Sequence, residues 1–417
     1  MRRLLIPLLA VGLLASACGG NDTPSGNEKI TLTIAGFGDF GFKPLYEEYK
    51  KTHPNIEIQE RISDYSAHHQ SLISHLATNS GAADIEAIEI GYLSSFTATP
   101  NRFHNLLDLG AKDLQSTYLP WKWEQGLSTD KKTLVGLGTD VGGMAMCYRT
   151  DLFQKAGLPT ARDEVSKLWP TWEEYVATGK KYKAALPDSF FMEASGNMFR
   201  AIVEQAPQGV YDDNDKLVVE TNPLVKKAWD LTVDAIGAGL SNKLTAWTPE
   251  WTAAFGKGTF GTIVCPAWMT SYIETNAKDA SGKWDIAAVP GGAGSMGGSH
   301  LALPKQGKNQ KEAFELIKWL TAPEQQKKVF KATGNFPSTP SLYTDPDLTS
   351  FSKPFFNNAP LGKIFTASAQ AVKPQHQGPK QGDVFNAIGG GLGRIEQGKQ
   401  AAPEAWTQVL ADCKKLA

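Results

Sequence analysis

Three acidic side chains end segments of strand character. Asp39 lies in Gly36-Phe-Gly-Asp-Phe-Gly41, Glu89 closes the run from Asp84, and Asp140 closes Gly136-Leu-Gly-Thr-Asp140. Trp268 follows Cys265-Pro-Ala after the apolar run 261–265. In α/β folds the ends of strands line the ligand crevice. Carboxylates accept hydrogen bonds from hydroxyls, and an indole face covers apolar C–H surface. The set therefore suits a flat ligand rich in hydroxyl groups. Phe40, beside Asp39, can also stack, although Asp39 equally fits a turn. Asn197, Ser299, His300 and Gln377 add hydrogen-bonding capacity. Trp247 and Trp251 are weaker platforms, since Trp251 and Phe255 stand four apart, as core residues of a helix also do. Trp229 and Trp319 fall in amphipathic patterns and read as core.

Other chemistries find less support. No Gly-x-Ser-x-Gly or His-Glu-x-x-His motif occurs. His68, His69 and His75 have no carboxylate cluster to match them, so no metal site is expected. The glycine-rich stretch 291–298 lacks the Lys-Ser/Thr and helix of a phosphate loop. No cofactor is expected.

The first residues set the compartment. Arg2 and Arg3 precede an apolar run from Leu4 to Leu14, then Ala15-Ser16-Ala17 and Cys18. This is a secretion signal, too short to span a bilayer, which takes about 20 residues. A Cys directly after the small residues predicts a lipoprotein: residues 1–17 removed, Cys18 lipidated, and 18–28 serving as a polar tether. The whole chain has 42 Lys and Arg against 43 Asp and Glu, and losing Arg2 and Arg3 makes it more acidic. No basic excess exists to bind nucleic acid. Eleven tryptophans suit flat ligands that carry hydroxyls. Beyond Cys18 stand Cys147, Cys265 and Cys413, with no Cys-x-x-Cys spacing. An oxidising compartment permits one disulfide, and Cys147 and Cys265, both in apolar strand-like segments, are the expected pair.

The elements that must position these residues alternate. Residues 29–35 and 56–61 alternate polar and apolar as strands do, and 84–90 reads as a third strand. Between them, 44–52 and 66–78 carry apolar residues at helical spacing. This βαβα order predicts a mainly parallel sheet with helices on both faces. Thr171 with Glu174 and Thr321 with Glu324 read as capping boxes, starting helices at Trp172 and Ala322. Residues 210–220 read as a hairpin turning at Asp212–Asp215, 261–265 as a buried strand, and the glycine runs 291–298 and 389–393 as loops or chain crossings.

A series of segments resembles the extracellular sugar-binding proteins of ABC importers, cluster-1 type, over nearly the whole chain after Cys18. They are Phe42-Lys-Pro-Leu-Tyr-Glu-Glu-Tyr49, Leu76-Ala-Thr-Asn-Ser-Gly81, Cys147-Tyr-Arg-Thr-Asp-Leu-Phe153, Phe255-Gly-Lys-Gly-Thr-Phe260, Trp319-Leu-Thr-Ala-Pro-Glu324 and Gly334-Asn-Phe-Pro-Ser338, in that order. Glu89-Ile-Gly91, Gly138-Thr-Asp140 and Val264-Cys-Pro-Ala-Trp-Met269 are similar to the actinobacterial cellobiose and cello-oligosaccharide binders. Met296 departs from them, standing where those proteins tend to carry Trp; Met covers an apolar sugar face less specifically.

The resemblance implies an α/β, two-lobed type II periplasmic-binding-protein fold with the ligand cleft between the lobes. One lobe would comprise 29–141 and 297–340, the other 142–296 and 341–417, with crossings near 140–146, 290–298 and 340. It implies hinge closure on an oligosaccharide, docking on ABC permease subunits, a lipid anchor in the membrane, and a monomer that is not an enzyme. Trp268 would stack on a sugar ring, with Glu89 and Asp140 on its hydroxyls, and Asp39, Phe40, Asn197, Trp251, Ser299 and Gln377 around them. The rival class is a secreted carbohydrate-active hydrolase, which needs two facing carboxylates, one with a raised pKa.

Overall fold

The computed structural model describes residues 29–416. The signal segment 1–17, Cys18 and the tether 18–28 lie outside the described residues. The strands are Ile30–Phe37 (β1), Ile56–Ser63 (β2), Ile85–Glu89 (β3), Gly136–Gly138 (β4), Asp140–Val141 (β5), Met144–Arg149 (β6), Phe190–Met192 (β7), Phe260–Pro266 (β8), Trp284–Ala287 (β9), Ser299–Ala302 (β10) and Phe336–Pro337 (β11).

They form two main sheets. The first has the order β2-β1-β3-β10-β4. Its β1, β2 and β3 are parallel, as the alternating order predicts, because helices Lys43–Thr52 and Tyr65–Thr78 carry the chain back between them. β10 enters between β3 and β4 antiparallel to both, because it arrives from the second sheet rather than through a crossover helix. The second sheet, β7-β8-β6-β9, departs further from the parallel expectation. β6 runs antiparallel to β8 and β9, and β7 alone is parallel to its neighbour. The chain passes from β4 to β6 through β5 and returns from β9 to β10 through the glycine-rich loop 291–298. β5 pairs with β11 between the sheets, Asp140 opposite Pro337.

The second sheet is buried on both faces. Met144, Met146 and Tyr148 point into a core with Trp169, Tyr175, Phe191 and Trp229. Ala145 and Cys147 point into the opposite core with Trp251, Phe255, Ile263, Cys265, Trp284 and Phe336. This is the two-residue period of a strand, applied to a run apolar throughout. Cys147 and Cys265 share one face of adjacent antiparallel strands; their Cα atoms are 5.4 Å apart and a disulfide joins them. Cys413 is a buried free thiol.

Local readings divide. The Thr171 capping box forms: the Thr171 hydroxyl accepts from Glu174 N at 3.3 Å, and Glu174 accepts from Thr171 N at 3.1 Å. The Thr321 box does not. Thr321 Oγ1 donates to Ile317 O of the preceding helix and accepts from Tyr118 Oη, so the next helix starts at Pro323 without it. In 210–220 the Asp212 carboxylate accepts from Asn214 N and Lys216 N, turning the chain over a single Tyr211–Leu217 bridge. The run 389–393 is no loop. It lies inside helix Gln381–Glu396, whose Val384, Ile388 and Leu392 form a buried stripe. Gly391 is there for close packing: a Cβ would stand 2.3 Å from Val409 Cγ2 and 3.1 Å from Trp229 Cη2.

Candidate binding cleft

The return loop brings the predicted residues together. Gly297 and Gly298 have φ of 85° and 102°, the left-handed region that favours glycine. A Cβ on Gly297 would stand 3.1 Å from Trp268 Nε1 and 3.8 Å from Glu89 Oε1. Gly297 thus lies between a carboxylate carried by the first sheet and an indole carried by the second. Trp268 opens helix Ala267–Asn276, directly after β8, and donates to Met296 O at 3.2 Å. The Met296 side chain is itself buried in the second lobe's core. Its backbone anchors the tryptophan.

Glu89 caps helix Ile90–Ala98. Its Oε2 accepts from Gly91 N at 2.7 Å and from Tyr65 Oη at 2.9 Å. Burial, and then the charge of Glu89, push the Tyr65 phenol upward, so it stays a donor. Glu89 N donates to His69 Nε2, and burial takes His69 down to about 3, so this ring is neutral and bonds Tyr65 O through Nδ1. One carboxylate oxygen is therefore held fast. The other, Oε1, stands 4.0 Å from Arg200 Nη2.

Arg200 belongs to helix Ser195–Glu204, which packs on the second sheet. Its Nε donates to Glu204 Oε1 at 2.9 Å, and its guanidinium lies over Phe385 at 5.4 Å. Burial opposes its charge, but Glu204 and Glu89 outweigh that and hold it protonated. Burial raises Glu204 to about 7 against the pull of Arg200, and Glu204 Oε2 is buried without a partner.

Asp140 is oriented inward. Its Oδ1 accepts from Thr139 Oγ1 at 2.7 Å and Ser299 N at 2.9 Å, fixing β5 to the start of β10. Burial raises its pKa, opposed by Lys122. Lys122 is 1% exposed, and burial lowers it to about 8 against Asp140 and Glu89. Its Nζ would be 3.2 Å from a Cβ on Gly298. Ser299 pairs with Glu89 across β10 and β3. His300 points into the core and bonds Lys122 O through Nε2.

The structure thus gathers Glu89, Asp140, Ser299 and Trp268 around Gly297 and Gly298. The other candidates stand apart. Asp39 Oδ1 accepts from Gly41 N, the turn geometry. Phe40 packs against Phe42 and Phe37, and Phe37 in turn touches Tyr65 and His69. Asn197 Nδ2 donates to Glu193 Oε1, one turn before Arg200. Trp251 is 1% exposed and packs in the core against Phe255 and Tyr272. Gln377 is half-buried beside Gln375, whose amide holds Val203 O and Ala206 O. Tyr65, Lys122, Arg200 and Glu204 were not legible. Arg200 and Glu204 have the spacing of an ordinary solvated helix pair. Among the described residues no cluster of three or more His, Cys, Asp or Glu could hold a metal, and no helix is long and apolar enough to cross a membrane.

A family model described as bacterial extracellular solute-binding protein matches residues 45–355. The chain belongs to this family. The solute-binding protein is similar to a crystal structure of an extracellular solute-binding protein family 1 member, with 43% identity, 93% of this chain and 99% of that chain covered, and a TM-score of 0.83. It is 24% identical to the arabinooligosaccharide-binding protein of Bacillus subtilis (strain 168) over 84% of this chain and 82% of that protein. At 21% identity it shares its fold with the ABC transporter associated binding protein of B. animalis subsp. lactis Bl-04, solved with β-1,6-galactobiose. That match covers 94% of this chain and 97% of the other, with a TM-score of 0.80. The solute-binding protein has the two-lobed type II periplasmic-binding-protein fold.

Proposed function

We propose that this solute-binding protein captures an oligosaccharide, cellobiose or a cello-oligosaccharide, outside the cell and hands it to the permease subunits of an ABC importer. The observation that carries this is the Glu89–Gly297–Trp268 arrangement: a carboxylate acceptor at the end of β3 and an indole just after β8, with only a glycine between. The relatives named for arabinooligosaccharide and for β-1,6-galactobiose support an oligosaccharide ligand. We further propose lobes of 29–141 with 297–340 and 142–296 with 341–417, lipidation at Cys18 with removal of 1–17, and a monomer held at the outer face of the membrane. The hydrolase reading loses its pair, because Asp140 turns to Thr139 and Ser299 and Asp39 closes its own turn. Incubation and titration with cellobiose to cellotetraose test the proposal. Binding with the sugars recovered intact is expected; shortened products would overturn it. A thermal-shift panel of di- and trisaccharides then ranks linkages, since the tightest ligand stabilises the fold most by mass action.

A further inference from the structure

Trp247 is 53% exposed, the most exposed large hydrophobic side chain among the described residues. Its φ is 68°, a left-handed conformation that a bulky aromatic residue rarely adopts and that persists only where its surroundings hold it. Trp247 lies nearly parallel to Trp268, at 24° and 5.9 Å between ring centroids. Trp251 at 5.1 Å and Tyr272 at 5.5 Å pack against it. Tyr272 is in turn fixed by a 2.8 Å hydrogen bond to Thr252 Oγ1. The two indoles form one stacked aromatic pair, whose outer member, Trp247, is open to solvent.

We infer that Trp247 is a second stacking residue, one sugar ring beyond Trp268, so the cleft reads the length of a chain of at least two pyranose units. This rests on the oligosaccharide reading above. The occupant follows from continuity. Trp268 sits against Gly297 and Glu89 inside the cleft, and any ligand chain leaving that point along the aromatic surface meets Trp247 next. A plainer role is the hydrophobic staple, in which the residue before a helix cap packs back on the first turn. Thr248 is that cap, and Trp251 N donates to its hydroxyl. A staple explains contact with Trp251 but not a half-exposed indole aligned with Trp268.

Trp247→Gly tests the inference, because glycine tolerates the positive φ, and Trp247→Asn, which also tolerates it, is the second variant. Glucose, cellobiose, cellotriose and cellotetraose are titrated into the parent, both variants and Trp268→Ala, and each protein's melting temperature is taken. The parent should bind more tightly as the chain lengthens. Both Trp247 variants should lose that gain, with the longest sugar weakened about tenfold or more, and should melt no lower than the parent. Unchanged affinity at every length, or an equal loss at every length, overturns the inference. A lower melting temperature with binding intact identifies a staple and also overturns it. Failure of the parent to bind any of these sugars removes the cello-oligosaccharide reading itself, a result separable from parental binding that ignores Trp247.

Discussion

Two adjacent glycines face two different ion clusters. Gly297 faces Glu89, which looks across 4.0 Å to Arg200 and its partner Glu204. Gly298 faces Lys122 and Asp140. The clusters use the same chemistry, a carboxylate near a cation, and differ in what they span. The Lys122–Asp140 cluster lies beside Gly298, with Asp140 bonded to the Thr139 hydroxyl and Ser299 N. The Glu89–Arg200 contact runs from the first sheet to a helix packed on the second, at a distance too long for a hydrogen bond. The difference teaches that a carboxylate beside a strand terminus can commit to neighbouring protein groups or keep one oxygen for a contact between the sheets. Its hydrogen bonds, not its position in sequence, decide which.

The largest effect should come from the Lys122–Asp140 cluster. Asp140→Ala leaves the Lys122 ammonium buried without its carboxylate, which costs about 3–5 kcal/mol for a broken buried pair. Denaturant unfolding should show that loss; unchanged stability would place Lys122 and Asp140 outside the structural core. Next comes the ligand cluster. Glu89→Gln should weaken binding of the best sugar by about 1.5–3 kcal/mol, the value of hydrogen bonds to charged groups, with folding retained because Gln can still accept from Gly91. Trp268→Ala should cost roughly ten- to a hundredfold in affinity. Calorimetric titration checks both, and a Trp268→Ala protein that binds like its parent would move the platform elsewhere.

The two clusters should also differ in their pH signature. Lys122 is lowered from 10.5 to about 8, so between those values the unfolded chain binds the extra proton and stability rises with pH. Lys122→Met should abolish that rise. Glu204 is raised from 4.5 to about 7, so there the folded protein binds the extra proton and stability falls as pH rises through this window. Glu204→Gln should flatten this slope. Subtracting variant from parent melting curves isolates each group from the neighbouring Glu89, Tyr65 and His69. Identical slopes in parent and variant would dissolve the distinction between the clusters.

How much of this was legible follows from the same contrast. The first three strands and their helices could be read because alternation and helical spacing are local signals. Glu89, Asp140 and Trp268 could be singled out because each stands at or just beside a strand terminus. Their division of labour could not be read: whether Asp140 faces a ligand or Ser299 N depends on β10, some 160 residues away in the chain. Lys122 sits in Trp121-Lys-Trp-Glu124, which has the look of a solvated turn, yet is buried. The glycines at 389–393 misled because glycine marks loops by default, whereas Gly391 answers to the packing of Val409 and Trp229.

The disulfide has a consequence for the chain's itinerary. Cys147 and Cys265 are separated by 118 residues in sequence, and closing a loop of that size restricts the unfolded state enough to contribute up to about 4–5 kcal/mol. Reducing compartments keep such thiols open. A family member that works outside the cell is therefore less stable where it is made than where it acts. Oxidation then locks two neighbouring strands of one sheet to each other, β6 and β8, only where thiols can be oxidised.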